Sequence, residues 1–354
     1  MKIRELLELS IQNRASDLHL RVPSPPIVRI DGELHPIKNL KPVTPSDMEA
    51  FFEEVTTSEK RKAFALRHEL DFSFSFPGLT RCRFNILQQR NTLSIAIRLI
   101  PFIVPSIEQL NLPPICRELV SKPMGLILIT GPTGSGKSST IAAMLDYLNE
   151  TKRRNIITIE DPVEYVHANK LSIIAQRDLG EDTQSFDDAL VHALRHDPDV
   201  IVVGEIREIN TMTTALRAAE TGHLVMGTLH TSDASQTVHR IIDMYPAEQQ
   251  DQIRSQLAQT LAVVMCQTLI PRKDAIGRLP AFEVMLANNA VKNLVREGRI
   301  HQLYGVIQIS RKEGMQTLNQ SMVDLIIKGL INPDEAYIRS SNIDDLKSLA
   351  NYWK

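Results

Sequence analysis

The stretch Gly131-Pro-Thr-Gly-Ser-Gly-Lys-Ser138 decides how the rest of the chain is interpreted, because it matches the phosphate-loop pattern G-x-x-x-x-G-K-[S/T] in full. It follows the apolar run 126–130 and opens a stretch with helical character at 138–148. Glycines here let backbone N–H groups curl around phosphates, and the helix N-terminus adds positive potential. The stretch therefore predicts a strand, a phosphate-binding loop and a helix. A glycine-rich connecting turn is the alternative.

Different side chains of this loop are expected to bind ATP and Mg²⁺. Lys137 is predicted to contact the β- and γ-phosphates, and the Ser138 hydroxyl to hold Mg²⁺. The predicted nucleotide-binding residues are Gly131, Pro132, Thr133, Gly134, Ser135, Gly136, Lys137, Ser138 and Ser139.

Short apolar runs on both sides of the loop indicate a parallel sheet. They lack the polar alternation of half-exposed strands, and they cover 124–130, 156–159, 200–203 and 224–228. Helices between them are plausible crossovers, so we expect an α/β fold. A further helix is predicted from Pro246 to about Cys266.

Carboxylates follow two of these predicted strands. Glu160, Asp161 and Glu164 come directly after the first, where acids near a magnesium nucleotide can hold metal-bound waters or position the attacking water. Glu205 ends the second strand in the general form of a Walker B element, although Gly204 stands where an aspartate is frequent. A solvated acidic turn and a plain buried strand are the respective alternatives.

One histidine follows the last of the four runs. His230 is placed where a side chain could sense the γ-phosphate through hydrogen bonds. A histidine with a structural role is the other interpretation, and the spacing offers no metal pair.

The first hundred residues have a different pattern, in which apolar and polar residues alternate with a period of two. An opening helix is predicted from Ile3, Leu6, Leu7 and Ile11, and a second one from Thr44-Pro45. Strands are predicted at 17–22, 27–30, 72–76, 80–87 and 93–99. Prolines then cluster, which predicts an N-terminal domain at 1–100, a linker at 101–115 and a second domain at 116–354.

Three arginines alternate with apolar residues on these strands. Arg81, Arg83 and Arg98 are therefore expected on the polar face of the sheet. Solvated surface charge is one interpretation, and arginine fingers that reach another subunit's ATP are the other.

Composition excludes several classes of protein. A formal charge of −2 and one tryptophan argue against a chain that mainly coats nucleic acid. Three cysteines in no C-x-x-C pair argue against a disulfide framework and a structural zinc site. No apolar run reaches the roughly 18 residues that a membrane span needs. We expect a cytoplasmic protein.

The ordered motifs resemble the Walker A, Asp-box, Walker B and His-box elements of the secretion ATPase superfamily, which drives type II secretion and type IV pili. Ala15-Ser-Asp-Leu-His-Leu20, Ala290-Val-Lys-Asn-Leu-Val-Arg-Glu297 and Gly314-Met-Gln-Thr-Leu318 resemble the pilus retraction ATPase (PilT) family within it. Lys292 and Ser232 depart from the usual arginine and asparagine.

This resemblance implies a PAS-like N-terminal domain joined by a linker to a RecA-like P-loop ATPase domain, assembled as a homohexamer. It implies an ATP-hydrolysing motor for pilus retraction, held at the inner membrane through a platform protein and the pilus machinery, with no nucleic acid bound. Glu164 would position water, Glu160, Asp161 and Glu205 would surround Mg²⁺, and His230 would act beside them. The three arginines would reach the neighbouring subunit's phosphates.

Other functions stay open at this point. A pilus-extension or type II secretion ATPase shares the motifs, although those relatives usually carry a tetracysteine zinc insert and extra N-terminal domains. A RecA-like nucleic-acid motor shares the phosphate chemistry but would need a basic or aromatic groove. A small-molecule kinase and a non-enzymatic binding module are the remaining alternatives.

Overall fold

A computed structural model describes residues 2–30, 32–100, 103–274 and 277–351. The chain divides into two compact units. The first contains Met1–Ile103 together with Glu164–Val166, and the second contains Val104–Val163 and His167–Lys354. Residues 103–114 form no helix or strand, and residues 101–102 of the predicted linker lie outside the described residues.

The first unit is an antiparallel sheet with helices against it. Its elements are α1 (Ile3–Gln12), β1 (Asp17–Arg21), β2 (Ile27–Ile30), β3 (Glu33–Pro36), α2 (Pro45–Val55), α3 (Ser58–Arg67), β4 (Glu69–Phe76), β5 (Thr80–Gln89) and β6 (Thr92–Ile100). The strands lie in the order β3-β2-β1-β6-β5-β4, and every neighbouring pair is antiparallel.

Local sequence explains the helices of this unit. The Thr44 hydroxyl accepts the N–H of Asp47 in a capping box and Pro45 occupies the first turn, which confirms the predicted start of α2. In α1 the predicted apolar stripe is partly wrong, because Ile11 is 40% exposed. Ser10 is buried in its place and donates its hydroxyl to the Leu6 carbonyl, so the polar group costs little there.

The second unit is built on a seven-stranded sheet. Its strands are β7 (Gly125–Thr130), β8 (Asn155–Glu160), β9 (Ile173–Asp178), β10 (Val200–Val203), β11 (Leu224–Leu229), β12 (Leu261–Pro271) and β13 (Arg278–Leu286). They lie in the order β13-β12-β7-β11-β10-β8-β9. Neighbours are parallel except β12 and β13, which confirms the predicted parallel strands.

Helices cover both faces of this sheet. They are α4 (Ile115–Val120), α5 (Lys137–Thr151), α6 (Phe186–Ala193), α7 (Ile209–Glu220), α8 (Ala234–Asp243), α9 (Gln250–Thr260), α10 (Asn289–Arg296), α11 (Leu303–Ile309), α12 (Leu318–Ile327), α13 (Pro333–Arg339) and α14 (Ile343–Asn351). Leu126 and Leu128 of β7 enter one apolar cluster, whereas Ile127 and Ile129 enter another. A strand buried on both faces needs no polar alternation, which explains the apolar runs.

One predicted element is wrong. The helix expected from Pro246 to Cys266 ends at Thr260, and Cys266 lies in β12. Residues 261–266 are apolar and continue directly from the helix, and a buried strand cannot be told from a buried helix by such a run. Pairing with β7 decides the outcome, because it satisfies the backbone of β12 within the sheet. No helix in the described ranges is long and apolar enough to cross a membrane.

Candidate nucleotide-binding site

The phosphate loop lies between the carboxyl end of β7 and the start of α5. Gly136 is the residue that precedes α5, and it has a left-handed backbone with φ of 89°. The Lys137 ammonium donates to the Gly131 carbonyl at 2.8 Å and to the Pro132 carbonyl at 3.0 Å. The lysine therefore curls back over the loop, where phosphates would compete for it with two carbonyl oxygens.

Gln267 of β12 supports this loop and was missed by the sequence analysis. A Cβ atom on Gly131 would lie 2.2 Å from the Gln267 carbonyl oxygen, and one on Gly136 would lie 2.8 Å from its Nε2. The Gln267 Oε1 also accepts the hydroxyl of Thr140 on α5 at 2.7 Å. These glycines are thus required by a neighbouring strand. A polar residue within an apolar strand was the signal that could have revealed Gln267.

A cavity of about 390 Å³ opens beside the loop. Its lining contains Gly136, Ser139 and Thr140 from the loop and α5, with Gln267 and Leu269 from β12. The rest of the lining comes from residues 109–112, Arg272 and residues 277–280. A cavity next to a phosphate loop that is lined by both polar and apolar side chains suits the nucleoside part of a nucleotide.

The sheet brings the other predicted motifs of the second unit to the same edge. β7, β11, β10 and β8 are parallel neighbours, so their carboxyl ends lie side by side. The phosphate loop, His230 and Glu205 follow the ends of β7, β11 and β10, and Glu160 is the last residue of β8. In parallel α/β sheets, ligands bind at this edge.

Glu205 and His230 form a pair at the centre of the edge. The Nε2 atom of His230 lies 3.1 Å from Oε1 of Glu205. Arg207 also binds this carboxylate with both Nε and Nη2, at 2.5 and 2.6 Å. The hydrogen bond from Arg207, followed by the charge of His230, holds the pKa of Glu205 below its ordinary value. Glu205 is therefore an anion near neutral pH.

Glycine at position 204 has a structural reason. A Cβ atom there would lie 3.0 Å from the Ile159 carbonyl oxygen and 3.1 Å from Cα of Glu160. The N–H of Gly204 donates to the same carbonyl at 2.7 Å. The ends of β10 and β8 are thus too close for the aspartate that is frequent at this position.

Glu160 is held by its own neighbours at the end of β8. Its Oε1 accepts the Thr158 hydroxyl at 2.5 Å and the Gln176 amide at 3.0 Å. The hydrogen bond to Glu205 raises the pKa of Arg207, and the charge of Asp161 acts weakly in the same direction. Glu164 belongs to the residues that group with the first unit.

The predicted arginines lie on the sheet of the first unit. Cys82 and Phe84 are buried while Arg81 and Arg83 alternate with them, as the period-two pattern predicted. Arg83 lies beside Arg98 in the register of β5 and β6. Arg81 donates to the Ser75 hydroxyl at 3.1 Å. All three side chains thus leave the sheet on the face opposite its apolar core.

Comparison with known proteins identifies the family. The model of the family described as "Type II/IV secretion system protein" matches residues 2–338. The chain belongs to this family. The predicted superfamily membership is confirmed.

Individual relatives within the type II/IV secretion family match over nearly the whole chain. The type IV pilus retraction ATPase PilT of Pseudomonas aeruginosa is 45% identical over 336 residues, which cover 95% of this chain and 97% of the relative. The twitching motility protein of Neisseria gonorrhoeae is 44% identical over 321 residues, which cover 91% of this chain and 86% of the relative. The resemblance to pilus retraction ATPases is confirmed.

Solved structures of the same family confirm the predicted fold class. The crystal structure of the pilus retraction motor PilT with bound ADP matches with a TM-score of 0.92 and 45% identity, covering 98% of this chain and 99% of that one. The ATPase DotB of Legionella pneumophila matches with a TM-score of 0.77 and 25% identity, covering 94% and 93%. The chain thus has an N-terminal domain and a RecA-like ATPase domain.

Proposed function

We propose that this chain is an ATP-hydrolysing motor that powers the retraction of type IV pili. The observation that carries the proposal is the shared edge of β7, β11, β10 and β8, which places a complete phosphate loop beside His230, Glu205 and Glu160. Relatives named for pilus retraction and twitching motility, at 44 to 45% identity, support the cellular role.

ATP would bind with its phosphates in the loop and its nucleoside in the neighbouring cavity. The backbone N–H groups of residues 131–139 and the N-terminus of α5 provide the positive potential. Lys137 would exchange the carbonyls of Gly131 and Pro132 for the β- and γ-phosphate oxygens. This exchange couples the conformation of the loop to the presence of the triphosphate.

The donor set at this edge fits a magnesium ion. Within the described ranges, no three acidic, histidine or cysteine side chains converge into a metal cage. Magnesium usually binds through few protein oxygens, substrate phosphates and waters, so a cage is not required. Ser138 would hold the ion, with Glu160, Asp161 and Glu205 around its waters. When bound, the ion would neutralise charge that develops on the phosphates.

The acids and His230 would then act on the attacking water and on the γ-phosphate. Glu164 is proposed to position or deprotonate the water. Glu205 is already engaged by Arg207 and His230, which suits a residue that transmits the state of the γ-phosphate. His230 would exchange its contact with Glu205 for a hydrogen bond to that phosphate.

Assembly into a homohexamer would complete each site. Arg81, Arg83 and Arg98 are proposed to stabilise the transition-state charge in a neighbouring subunit. The assembly is proposed to work in the cytoplasm on an inner-membrane platform protein of the pilus machinery, and not on nucleic acid. The boundaries 1–100, 101–115 and 116–354 remain our proposal for its N-terminal domain, linker and motor domain.

Deleting the gene tests the direction of the motor. Loss of a retraction ATPase gives cells with excess surface pili that do not twitch, and expression of the wild-type chain restores twitching. Cells without surface pili would instead support the alternative of a pilus-extension ATPase, and unchanged pili with impaired secretion would support a type II secretion ATPase.

A further inference from the structure

Glu283 is a buried carboxylate in the second unit that has no task in the hydrolysis proposed above. It lies on β13 beside Cys266 of β12, and the residue is 4% exposed. Carboxylates are seldom buried unless hydrogen-bonded partners offset the lost hydration. Its partners therefore indicate why a glutamate is present.

The starts of two helices are bonded to this part of β13. Oε1 of Glu283 accepts the N–H of Ala234, the first residue of α8, at 2.8 Å. The residues beside Glu283 on β13 are bonded to the start of α12: Val284 and Gln316 exchange backbone hydrogen bonds, and the N–H of Phe282 donates to the Ser321 hydroxyl at 3.1 Å. First-turn N–H groups have no partner within their own helix, and helix N-termini attract anions. The carboxylate thus holds the start of α8, and the strand that carries it is bonded to the start of α12.

A short loop connects the first of these helices, α8, to His230 of the candidate site. β11 ends at Leu229 and α8 begins at Ala234, so residues 230–233 form a short loop between two fixed points. His230 stands at one end of this loop, 3.1 Å from Glu205. The bond from Ala234 to Glu283 fixes the other end.

We propose that Glu283 is a positioning residue that holds the His230 loop against Glu205 and links this loop to the C-terminal helices that begin with α12. The inference rests on the proposed ATPase function for its effect on turnover. The bond from the Ala234 N–H is strongest with an anion, because a carboxylate accepts a hydrogen bond more strongly than a neutral acid or an amide does. A protonated Glu283 or a glutamine in its place therefore holds the start of α8 less firmly.

Protonation of Glu283 would control this link near neutral pH. Burial raises the pKa of Glu283 to about 7, the charge of Asp233 acts in the same direction, and the N–H groups of Ala234 and Leu318 oppose both effects. Cys266 and Tyr304 face the same region, and burial raises the pKa of each, so both stay neutral. Asp345 accepts the Tyr304 hydroxyl. The link is therefore strongest above pH 7 and weakens in acid.

Glu283→Gln in the full chain tests the proposal through kinetics. We expect kcat to fall by about 10- to 100-fold, the scale of a misplaced catalytic group, while KM for ATP changes by about twofold or less because the phosphate loop is untouched. Wild-type kcat should rise with pH through about 7, and this step should be absent in the variant. Asp345→Asn is the matched control, because it also changes a carboxylate to an amide, loosens α14 and leaves Ala234 bonded.

Amide hydrogen exchange provides a second test. It can be measured on the wild-type chain alone, so it does not depend on ATP hydrolysis or on whether the variant folds. In the wild-type chain, peptides covering 230–237 should exchange faster at pH 6 than at pH 8 after correction for intrinsic rates. The same acceleration is expected in Glu283→Gln at pH 8. Equal exchange at both pH values, or a variant with wild-type kcat and pH profile, overturns the inference. A wild-type chain that hydrolyses no ATP overturns the proposed function instead.

Discussion

The Nε atom of Arg98 lies 3.0 Å from Oδ1 of Asp17, its register partner on β1. Asp17 is flanked on its other side by Arg29, whose Nε lies 3.9 Å from Oδ2. The side chain of Arg98 is nevertheless 70% exposed. Asp17 is only 13% exposed, but Arg29 stays beside it, so the solvated Arg98 can leave Asp17 for a more strongly charged partner at a cost of about 1 kcal/mol.

Arg98→Ala should therefore reduce hydrolysis strongly and stability only slightly. We expect kcat to fall by at least about 100-fold if the arginine completes a neighbouring site, with ATP affinity nearly unchanged and the free energy of unfolding lowered by about 1 kcal/mol at most. ATP turnover, nucleotide binding and urea unfolding measure the three quantities. Arg29→Ala is the control, because it removes the other arginine beside Asp17.

Mixed assemblies give the decisive outcome for this arginine. A Lys137→Ala subunit retains Arg98, and an Arg98→Ala subunit retains its phosphate loop, so mixing the two should restore part of the activity. Full activity of Arg98→Ala alone, with no gain on mixing, would mean that Arg98 is a solvated surface charge.

Lys137→Ala should abolish most hydrolysis. Removing the ammonium takes away the charge that offsets the β- and γ-phosphates in the transition state, which costs at least about 100-fold in kcat. Steady-state release of phosphate by the purified chain measures the effect. Lys170→Ala is the control, because this lysine binds Asp146 and Glu150 on the surface of the same unit. Equal activity of both variants contradicts an ATPase site at this loop.

Glu164→Gln and Glu205→Gln separate the roles of two acids. We expect Glu164→Gln to bind Mg-ATP normally and to lose hydrolysis, because an amide cannot deprotonate or orient water as a carboxylate does. Glu205→Gln should weaken the contacts with Arg207 and His230 and lower kcat less severely. Single-turnover hydrolysis with measured ATP binding compares them. A normal Glu164→Gln beside an inactive Glu205→Gln reverses the assignment.

Gly131→Ala should weaken nucleotide binding through a steric effect. Its Cβ would lie 2.2 Å from the Gln267 carbonyl oxygen, so either the loop or β12 must shift. Nucleotide affinity by fluorescence titration should fall by at least about tenfold, equivalent to 1.4 kcal/mol. Gly222→Ala is the control, because Gly222 also has a positive φ, of 111°, and no atom lies within 4 Å of its added Cβ. Similar affinity losses in both would point to backbone strain in general.

Stability should depend on pH through Glu283. Its pKa rises from 4.5 in the unfolded chain to about 7 in the folded chain, so the folded state binds the proton more tightly. The resulting stabilisation is complete below pH 4.5 and is lost as pH rises through about 7, with a total of about 3 kcal/mol. Urea unfolding from pH 5 to pH 8.5 measures this slope. Glu283→Gln should remove it, and an unchanged slope assigns it to other groups.

Local sequence accounts for the parts of the molecule that depend on near neighbours. The strand, loop and helix around Lys137 follow from glycine spacing, and the start of α2 follows from Thr44, Pro45 and Asp47. Alternation placed Arg81 and Arg83 opposite Cys82 and Phe84. Chain order also indicated that the acids and His230 follow strands, because carboxyl ends of parallel strands share an edge.

The tertiary structure determined the features that local sequence patterns could not predict. Ser10 replaces Ile11 in the buried face of α1, and residues 261–266 become a strand because β7 offers an unpaired edge. The bonds of Gln267 to Thr140 on α5 and of Glu283 to the start of α8 join residues more than 40 positions apart. Periodicity in a sequence predicts only on which face of its own helix or strand a residue lies. Which distant backbone approaches that face is set by packing of the whole sheet. This is why glycine is required at 131 and 204 and why the carboxyl group of Glu283 meets the N–H of Ala234.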